Sequence, residues 1–550
     1  MSTRHPIVRL SLVVGMVCAA WLLWLWRASF SPAAPNSTGP AALAALAPAS
    51  STAKSADRTD GDIDEITAAL LRALQRAIER PDARPGEALL TFKDDDALRR
   101  FLERAAASGL EVVDRVDRLH AVRVRFDAFG GLQRELLQNA ADYSAASPNN
   151  LVSLPTPPSK QDRANVDQVP FGNETLAFMG ATGDRTSWGR GTTIAILDTG
   201  VAPDATFGPG RIRTIDIGLG VLPGNGGEDG HGTAVAALAA GTARDAPGVA
   251  PAAEILSIRV TDANSTSDLF TIARAIVAAV DGGAKVINVS LGGYSTGAVL
   301  ESAISYATQQ GAVIVAAAGN DQAAQLAWPA ADARVVSVGA VDKAEQQVSF
   351  SNSGPQLQLT APGYGVQTAW LDGQRVTVDG TSASAPLVAG SIAALLSQNP
   401  VLTPRQAADL LGRTANDTGQ PGTDASFGHG IVNLGTAMNS GDSAYVDTAV
   451  SSHFYDAAKN QMEFVVQNRS GRPVSGMTLD ITAGTVTRST TVPSLAAGEI
   501  FVARVPVDET TLASAGRLTF SSQLSNPFGV VDRVPANNSR SSVLTPPAKP

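Results

Sequence analysis

At 550 residues, with 44% hydrophobic and 17% charged side chains, the chain has the length for several globular domains and the composition to fill them. Its 42 basic against 51 acidic residues leave a net charge of −9, which removes any electrostatic case for a nucleic-acid partner. The single cysteine, Cys18, excludes an intramolecular disulfide, and its apolar surroundings make it a small hydrophobe rather than a reactive thiol.

Arg4, His5 and Arg9 precede an uncharged, mostly apolar run over residues 10–26, the pattern of an export signal. Ser31-Pro32-Ala33 offers a cut before Ala34, which makes 1–33 a cleaved signal peptide. The abrupt close at Trp26-Arg27 fits a signal anchor, a single membrane-spanning helix, equally well. Either way the remainder is placed outside the cytoplasm, periplasmic or secreted. Residues 34–61, rich in Ala, Pro, Ser and Thr, predict a flexible linker.

Ile63, Ile66, Leu70, Leu74 and Ile78 recur at helical spacing, which predicts an amphipathic helix over 62–80 that ends before Pro81. A strand at 88–92 follows. Next comes a helix capped from Asp94-Asp95-Asp96 that buries Leu98, Phe101, Leu102 and Ala105. A strand at 111–113, a second carrying Val122, Val124 and Phe126, and a helix with Leu132, Leu136 and Leu137 complete the pattern. Residues 62–145 therefore read as a helix followed by a small α+β domain. Polar residues and prolines over 146–164 predict an accessible linker suited to a processing cut.

Residues 165–440 alternate β-branched apolar runs (192–197, 255–260, 285–289, 312–317, 335–340) with helical stretches at 268–280 and 297–310. Such alternation predicts an α/β domain built on a parallel sheet. Thr403-Pro404 is an N-cap and first-turn pair for one further helix. Over 441–544 the period changes to two, as in Met462, Phe464 and Val466 and again in Met477, Leu479 and Ile481, predicting a β-sandwich. The Pro-rich residues 545–550 read as a disordered tail.

The chemistry concentrates in three places. Gly380-Thr381-Ser382-Ala383-Ser384-Ala385-Pro386 opens an apolar helical stretch and sets Ser382 at its N-terminus, where unpaired N–H groups favour an anion. A serine hydroxyl is a weak nucleophile and needs a base oriented by a third group. His231 stands in Asp229-Gly230-His231-Gly232-Thr233, directly before a small-residue helix. The run 192–197 ends on Asp198-Thr199-Gly200, and ligands of open parallel sheets bind at such carboxyl ends. Each motif alone has a plainer reading. Gly-Thr-Ser is an ordinary helix cap, and Asp-Thr-Gly also signs aspartic peptidases, which need a second such carboxylate and an all-β fold.

Taken with Asn288-Val289-Ser290-Leu291-Gly292-Gly293, Ala316-Ala317-Ala318-Gly319-Asn320, Phe350-Ser351-Asn352-Ser353-Gly354-Pro355 and Phe427-Gly428-His429-Gly430-Ile431-Val432-Asn433, the three motifs stand in one familiar order. From about residue 190 to 438 the chain resembles a subtilisin-like (subtilase) serine peptidase. The resemblance implies a serine-type endopeptidase with Asp198, His231 and Ser382 as triad and Asn320 as oxyanion donor. It implies substrate contacts at Ser290, Leu291, Gly292, Gly293, Ala317, Gly319 and Ala327. It makes the domain before it the inhibitory propeptide of an autoprocessed zymogen, and the sandwich after it an immunoglobulin-like accessory domain. The partners it implies are polypeptide substrates, the chain's own propeptide, and a membrane only through the N-terminal segment of the precursor. No cofactor and no metal ligand is expected. The path from His231 to Gly248-Val249-Ala250-Pro251 lacks the family's Asn-rich calcium loop, and no cluster of six oxygens replaces it. The rival to a peptidase is a binding protein on the same scaffold, since scaffold does not dictate activity; three intact triad positions stand against it.

Overall fold

The structure, a computed structural model, describes residues 60–155, 168–203, 206–222 and 229–546. The expected signal or anchor, the linker up to residue 59, residues 156–164 of the second linker and the tail from 547 lie outside the described residues. The chain divides into two compact units.

Of the described residues, the first unit comprises 60–153 with Thr266–Val277 and Gly293–Tyr306. Helix α1 (Asp60–Ile78) leads into β1 (Ala83–Phe92), α2 (Asp95–Arg104), β2 (Glu111–Val116), β3 (Ala121–Arg125), α3 (Phe129–Gln138) and β4 (Tyr143–Ser153). Asp94 caps α2 by accepting from Ala97 N at 2.8 Å, so the acidic run does start this helix. Leu74 and Ile78 of α1, Leu98 and Phe101 of α2 and Leu132 of α3 share a core with Leu90, Val122 and Val124.

The linker expected from residue 146 begins instead as strand. Over 143–153 the chain pairs antiparallel with β1 on one side and with Thr266–Asp268 on the other. Pro148-Asn149-Asn150 looks like loop because it carries turn residues and its partners, Ala88 for Pro148 and Ala83 for Asn150, lie far back in the chain, where no local pattern registers them. Thr266 pairs with Ser153, Ser267 with Val152 and Asp268 with Leu151. Around this pairing Arg84 Nε donates to Asp268 Oδ2 at 2.5 Å, Phe270 N donates to Asn149 Oδ1 at 3.3 Å, and Arg274 pairs with Asp114.

The second unit holds a seven-stranded sheet. Its strands are β5 (Thr193–Asp198), β6 (Ile212–Ile215), β7 (Glu254–Arg259), β8 (Val286–Val289), β9 (Val313–Ala317), β10 (Val336–Val341) and β11 (Leu359–Pro362). They lie in the order β11-β10-β9-β8-β5-β7-β6, and every neighbouring pair is parallel. A parallel sheet removes the aspartic-peptidase reading, which needs an all-β fold. Helix α4 (His231–Ala240) belongs to this unit, while the helices expected at 268–280 and 297–310, α5 (Leu269–Asp281) and α6 (Ala298–Gln309), lie for the most part in the first. A hairpin, β12 (Val366–Ala369) and β13 (Arg375–Val378), leads into α7 (Thr381–Gln398). Thr403 closes a capping box on α8 (Pro404–Arg413).

The small residues of α4 and α7 have a packing cause. A Cβ at Gly390 of α7 would stand 2.6 Å from Ala239 O of α4, so only glycine allows the two helices this approach. The sandwich follows as β14 (Thr448–Asp456), β15 (Gln461–Asn468), β16 (Thr478–Ala483), β17 (Val486–Thr491), β18 (Ile500–Pro506), β19 (Leu518–Ser525) and β20 (Ser539–Leu544). Sheets β14-β15-β18 and β17-β16-β19-β20 share a core of Phe464, Met477, Leu479, Phe520 and Leu524. Among the described residues no helix is long and apolar enough to cross a membrane.

Candidate active site

Asp198 is the last residue of β5 and is wholly buried. Its Oδ1 accepts from Thr199 N at 2.8 Å and lies 2.8 Å from Nδ1 of His231, the first residue of α4. Two turns are thereby locked together. Thr199 Oγ1 donates to Asp229 O at 3.0 Å and accepts from Gly232 N at 3.0 Å. A Cβ at Gly232 would meet Gly200 O at 2.4 Å, so the residue after His231 has to be glycine for helix and strand end to meet.

Ser382 is the second residue of α7, 7% exposed, and follows Gly380, whose φ of 139° only glycine holds without strain. Ser290 Oγ donates to Ser382 O at 3.2 Å and accepts from Asn288 Nδ2 at 2.9 Å, which ties the nucleophile turn to the end of β8. His231, Ser382 and Asn320 line one cavity of about 200 Å³. The N-terminal end of the α7 dipole lies at Ser382 and makes that end electropositive.

Asn320 follows β9 and is held by Thr381. Its Oδ1 accepts from Thr381 N at 2.9 Å and from Thr381 Oγ1 at 2.8 Å. With the oxygen so engaged, the amide nitrogen is the end of the side chain turned toward the backbone at Gly380, 2.9 Å from where a Cβ there would stand. The turn carrying Asn320 is itself pinned by Asn352, which is fully buried. Asn352 Oδ1 accepts from Asp321 N at 3.0 Å and Ala323 N at 2.9 Å, and its Nδ2 donates to Ala318 O at 3.1 Å.

Of the expected substrate-binding residues, Gly292, Gly319 and Ala327 come together. Cβ atoms built at Gly292 and Gly319 would stand 2.8 and 3.4 Å from the Ala327 methyl. Ala317 ends β9 beside them in sequence and is buried. Ser290 and Leu291 are also buried. Gly293 belongs to the first unit, where a Cβ would meet Leu151 O at 3.0 Å.

Three contributors escaped sequence reasoning as separate residues: Thr381, Asn352 and Trp370. The first two sit inside motifs already singled out, but their roles depend on which loop they face. Trp370 is seated flat on Gly230, where a Cβ would be 2.1 Å from its ring. Pro155 also lines the cavity of His231 and Ser382, and just before it Leu154 N donates to Ser265 O at 3.5 Å. Past α4 the chain turns at once in a tight hairpin, Thr242–Ala243 against Ala246–Pro247.

Known proteins align on this geometry. The family model described as Subtilase family matches residues 189–430. Subtilisin Savinase of Lederbergia lenta is 35% identical over 279 residues, covering 49% of this chain and 98% of the relative. The thermostable alkaline protease of Halalkalibacterium halodurans is 34% identical over 273 residues, covering 49% of this chain and 73% of its own length. Among solved structures, fervidolysin from Fervidobacterium pennivorans, a keratinolytic enzyme related to subtilisin, superposes with a TM-score of 0.55. That match covers 85% of this chain and 77% of fervidolysin at 21% identity, a likeness of fold.

Proposed function

We propose that this chain, which belongs to the subtilase family of serine endopeptidases, is an exported endopeptidase made as an autoprocessed zymogen, with Asp198, His231 and Ser382 as its triad. The observation that carries the reading is the 2.8 Å contact of Asp198 Oδ1 with His231 Nδ1 beside a cavity that His231 shares with Ser382. Asp198 holds the imidazole with its Nδ1 proton facing the carboxylate, which leaves Nε2 as the base. Ser382 Oγ attacks the scissile carbonyl and its proton passes to Nε2. The resulting oxyanion takes hydrogen bonds from Asn320 Nδ2 and the Ser382 backbone N–H. Nε2 returns the proton to the leaving amine, and water repeats the cycle on the acyl-enzyme.

Pro155, beside the triad at the end of the segment leaving β4, supports a first cut within the chain itself, on one side or the other of that residue. Such a cut separates the apolar residues 10–26 from the catalytic domain whether they are a signal or an anchor. The mature form should then fractionate with soluble exported protein, and retention on membranes through high-salt washing would refute release.

A fluorophosphonate, which modifies only an activated serine, tests the centre. The wild type should label, and Ser382→Ala should neither label nor mature. Edman sequencing of the mature wild type should begin at Pro155 or Thr156. A purified Ser382→Ala protein that matured alone would remove Ser382 as nucleophile.

A further inference from the structure

Residues 266–277 of the catalytic region belong to the same compact unit as the N-terminal domain, and more than backbone pairing holds them there. Asp268 ends the strand Thr266–Asp268 and is wholly buried. Its Oδ1 accepts from Thr271 N at 2.9 Å, which caps the first turn of α5. Its Oδ2 accepts from Arg84 Nε at 2.5 Å and lies 3.7 Å from a terminal nitrogen of Arg123. A carboxylate so deeply buried is tolerated only when it is paired. Both cations paired with it come from the N-terminal domain, Arg84 from β1 and Arg123 from β3.

The cations are themselves held in place. Arg123 grips Glu87 with two nitrogens, Nε to Oε2 at 2.7 Å and a terminal nitrogen to Oε1 at 2.8 Å. Glu87, also buried, accepts from Asn149 Nδ2 at 3.0 Å, and Asn149 Oδ1 accepts from Phe270 N at 3.3 Å. The network thus leaves the catalytic region at Asp268 and returns to it two residues later. Farther along α5 the polarity reverses, with Arg274 paired to Asp114. The face 266–277 therefore presents an acid and then a base, answered by bases and then an acid. Pairing of 266–268 with 151–153 uses main chain, which any extended segment can supply. Selection of one partner falls to the charges, because a like charge set against Asp268 or Arg274 is repelled.

We propose that Asp268 is the centre of a charge lock by which the catalytic domain keeps its own N-terminal domain after the chain is cut. The proposal rests on the zymogen reading and adds the residues that set how long the cleaved domain stays. On departure Asp268 exchanges two guanidinium partners for water, and removing one partner of such a desolvated pair acts on the off-rate.

Arg84→Gln gives the sharpest test, because the substituted residue departs with the domain and leaves a wild-type mature enzyme. Purified full-length precursors are left to cut themselves. Size exclusion follows the N-terminal fragment that co-elutes with the enzyme, and a quenched peptide reports the lag before full activity. The wild type should retain the fragment. In Arg84→Gln the lag should shorten about tenfold or more, with the final kcat/KM equal to that of the wild type. Asp268→Asn keeps an oxygen to cap α5 and removes only the charge, so it should shorten the lag alike. It also serves if the Arg84→Gln precursor does not fold. The double variant should release the fragment no faster than Asp268→Asn alone, since both changes break one pair. Equal lags in wild type and both variants, or effects that multiply in the double variant, would overturn the lock and leave the zymogen intact. A wild-type precursor that never cuts itself would overturn the zymogen reading instead.

Discussion

Asn320 engages its side-chain oxygen with Thr381 and so presents nitrogen, the atom that can donate, toward the nucleophile turn. An oxyanion exists only in the transition state, so the donor should act on turnover and not on binding. Asn320→Ala should therefore lower kcat about 10²–10³-fold, the range for losing one such donor in a relative of this family, with KM little changed. Thr381→Val removes one of the two bonds that orient the amide and keeps the shape of the side chain. It should cost kcat roughly tenfold, about 1.4 kcal/mol, again without a rise in KM. Steady-state kinetics on one peptide separate the cases. A rise in KM at constant kcat would make Asn320 a substrate-binding residue instead.

At the scale of elements, local apolar runs explain what the sequence revealed and remote pairing explains what it hid. Asp198, His231, Ser382 and Asn320 were legible because each sits at the end of a strand or the start of a helix whose apolar run is local. The strand Tyr143–Ser153 was not, because both of its partners are remote and Pro148-Asn149-Asn150 carries turn residues. Asn352 lay in a recognised motif, yet its service to the Asn320 turn appears only once the two loops meet.

The loop after α8 holds a second hidden feature. Asp417 is 5% exposed, its Oδ2 accepts from Gly422 N at 2.7 Å, and its Oδ1 has no partner among the described residues. Burial pushes its carboxyl up to about 7; the Gly422 N–H and Arg469 oppose the rise, and the Asp424 carboxylate adds to it. A raised folded-state pKa favours the neutral acid, so the stabilising contribution is full below about pH 4 and is lost as pH rises through about 7. In a Ser382→Ala background, Asp417→Asn should match the parent at pH 4 and exceed it at pH 9 by roughly 2–4 kcal/mol. Urea melts at both values check this, and parallel curves would show that the carboxyl ionises without penalty.

For the molecule as a whole, the question is whether the C-terminal sandwich is a tethered module or part of the body that carries the triad. Both lie in the second unit, and hydrogen bonds join them. Ser451 Oγ donates to Asp417 O at 2.6 Å, Gln467 Nε2 to Ala415 O at 2.8 Å, and Asp417 N to Gln467 Oε1 at 3.3 Å. Arg540 pairs with Glu345, and Gly498 approaches Arg413 O so closely that a Cβ would stand 2.9 Å away. A flexible appendage has no use for bonds that bury backbone carbonyls of its neighbour, because each becomes unpaired when the appendage swings off. Ending the chain after Ser440 exposes those groups again. At about 1 kcal/mol for each of three hydrogen bonds, the truncated protein should lose roughly 3 kcal/mol, a fall in Tm of about 4–5 °C at this chain length. The loss should come with kcat/KM on a short peptide unchanged at 25 °C, since no described residue past 440 lines the triad cavity. Calorimetry of the full chain in the Ser382→Ala background should give one shared transition for sandwich and catalytic domain. Two resolved transitions, with the catalytic one at the same temperature in the truncated protein, would make the sandwich an independent module.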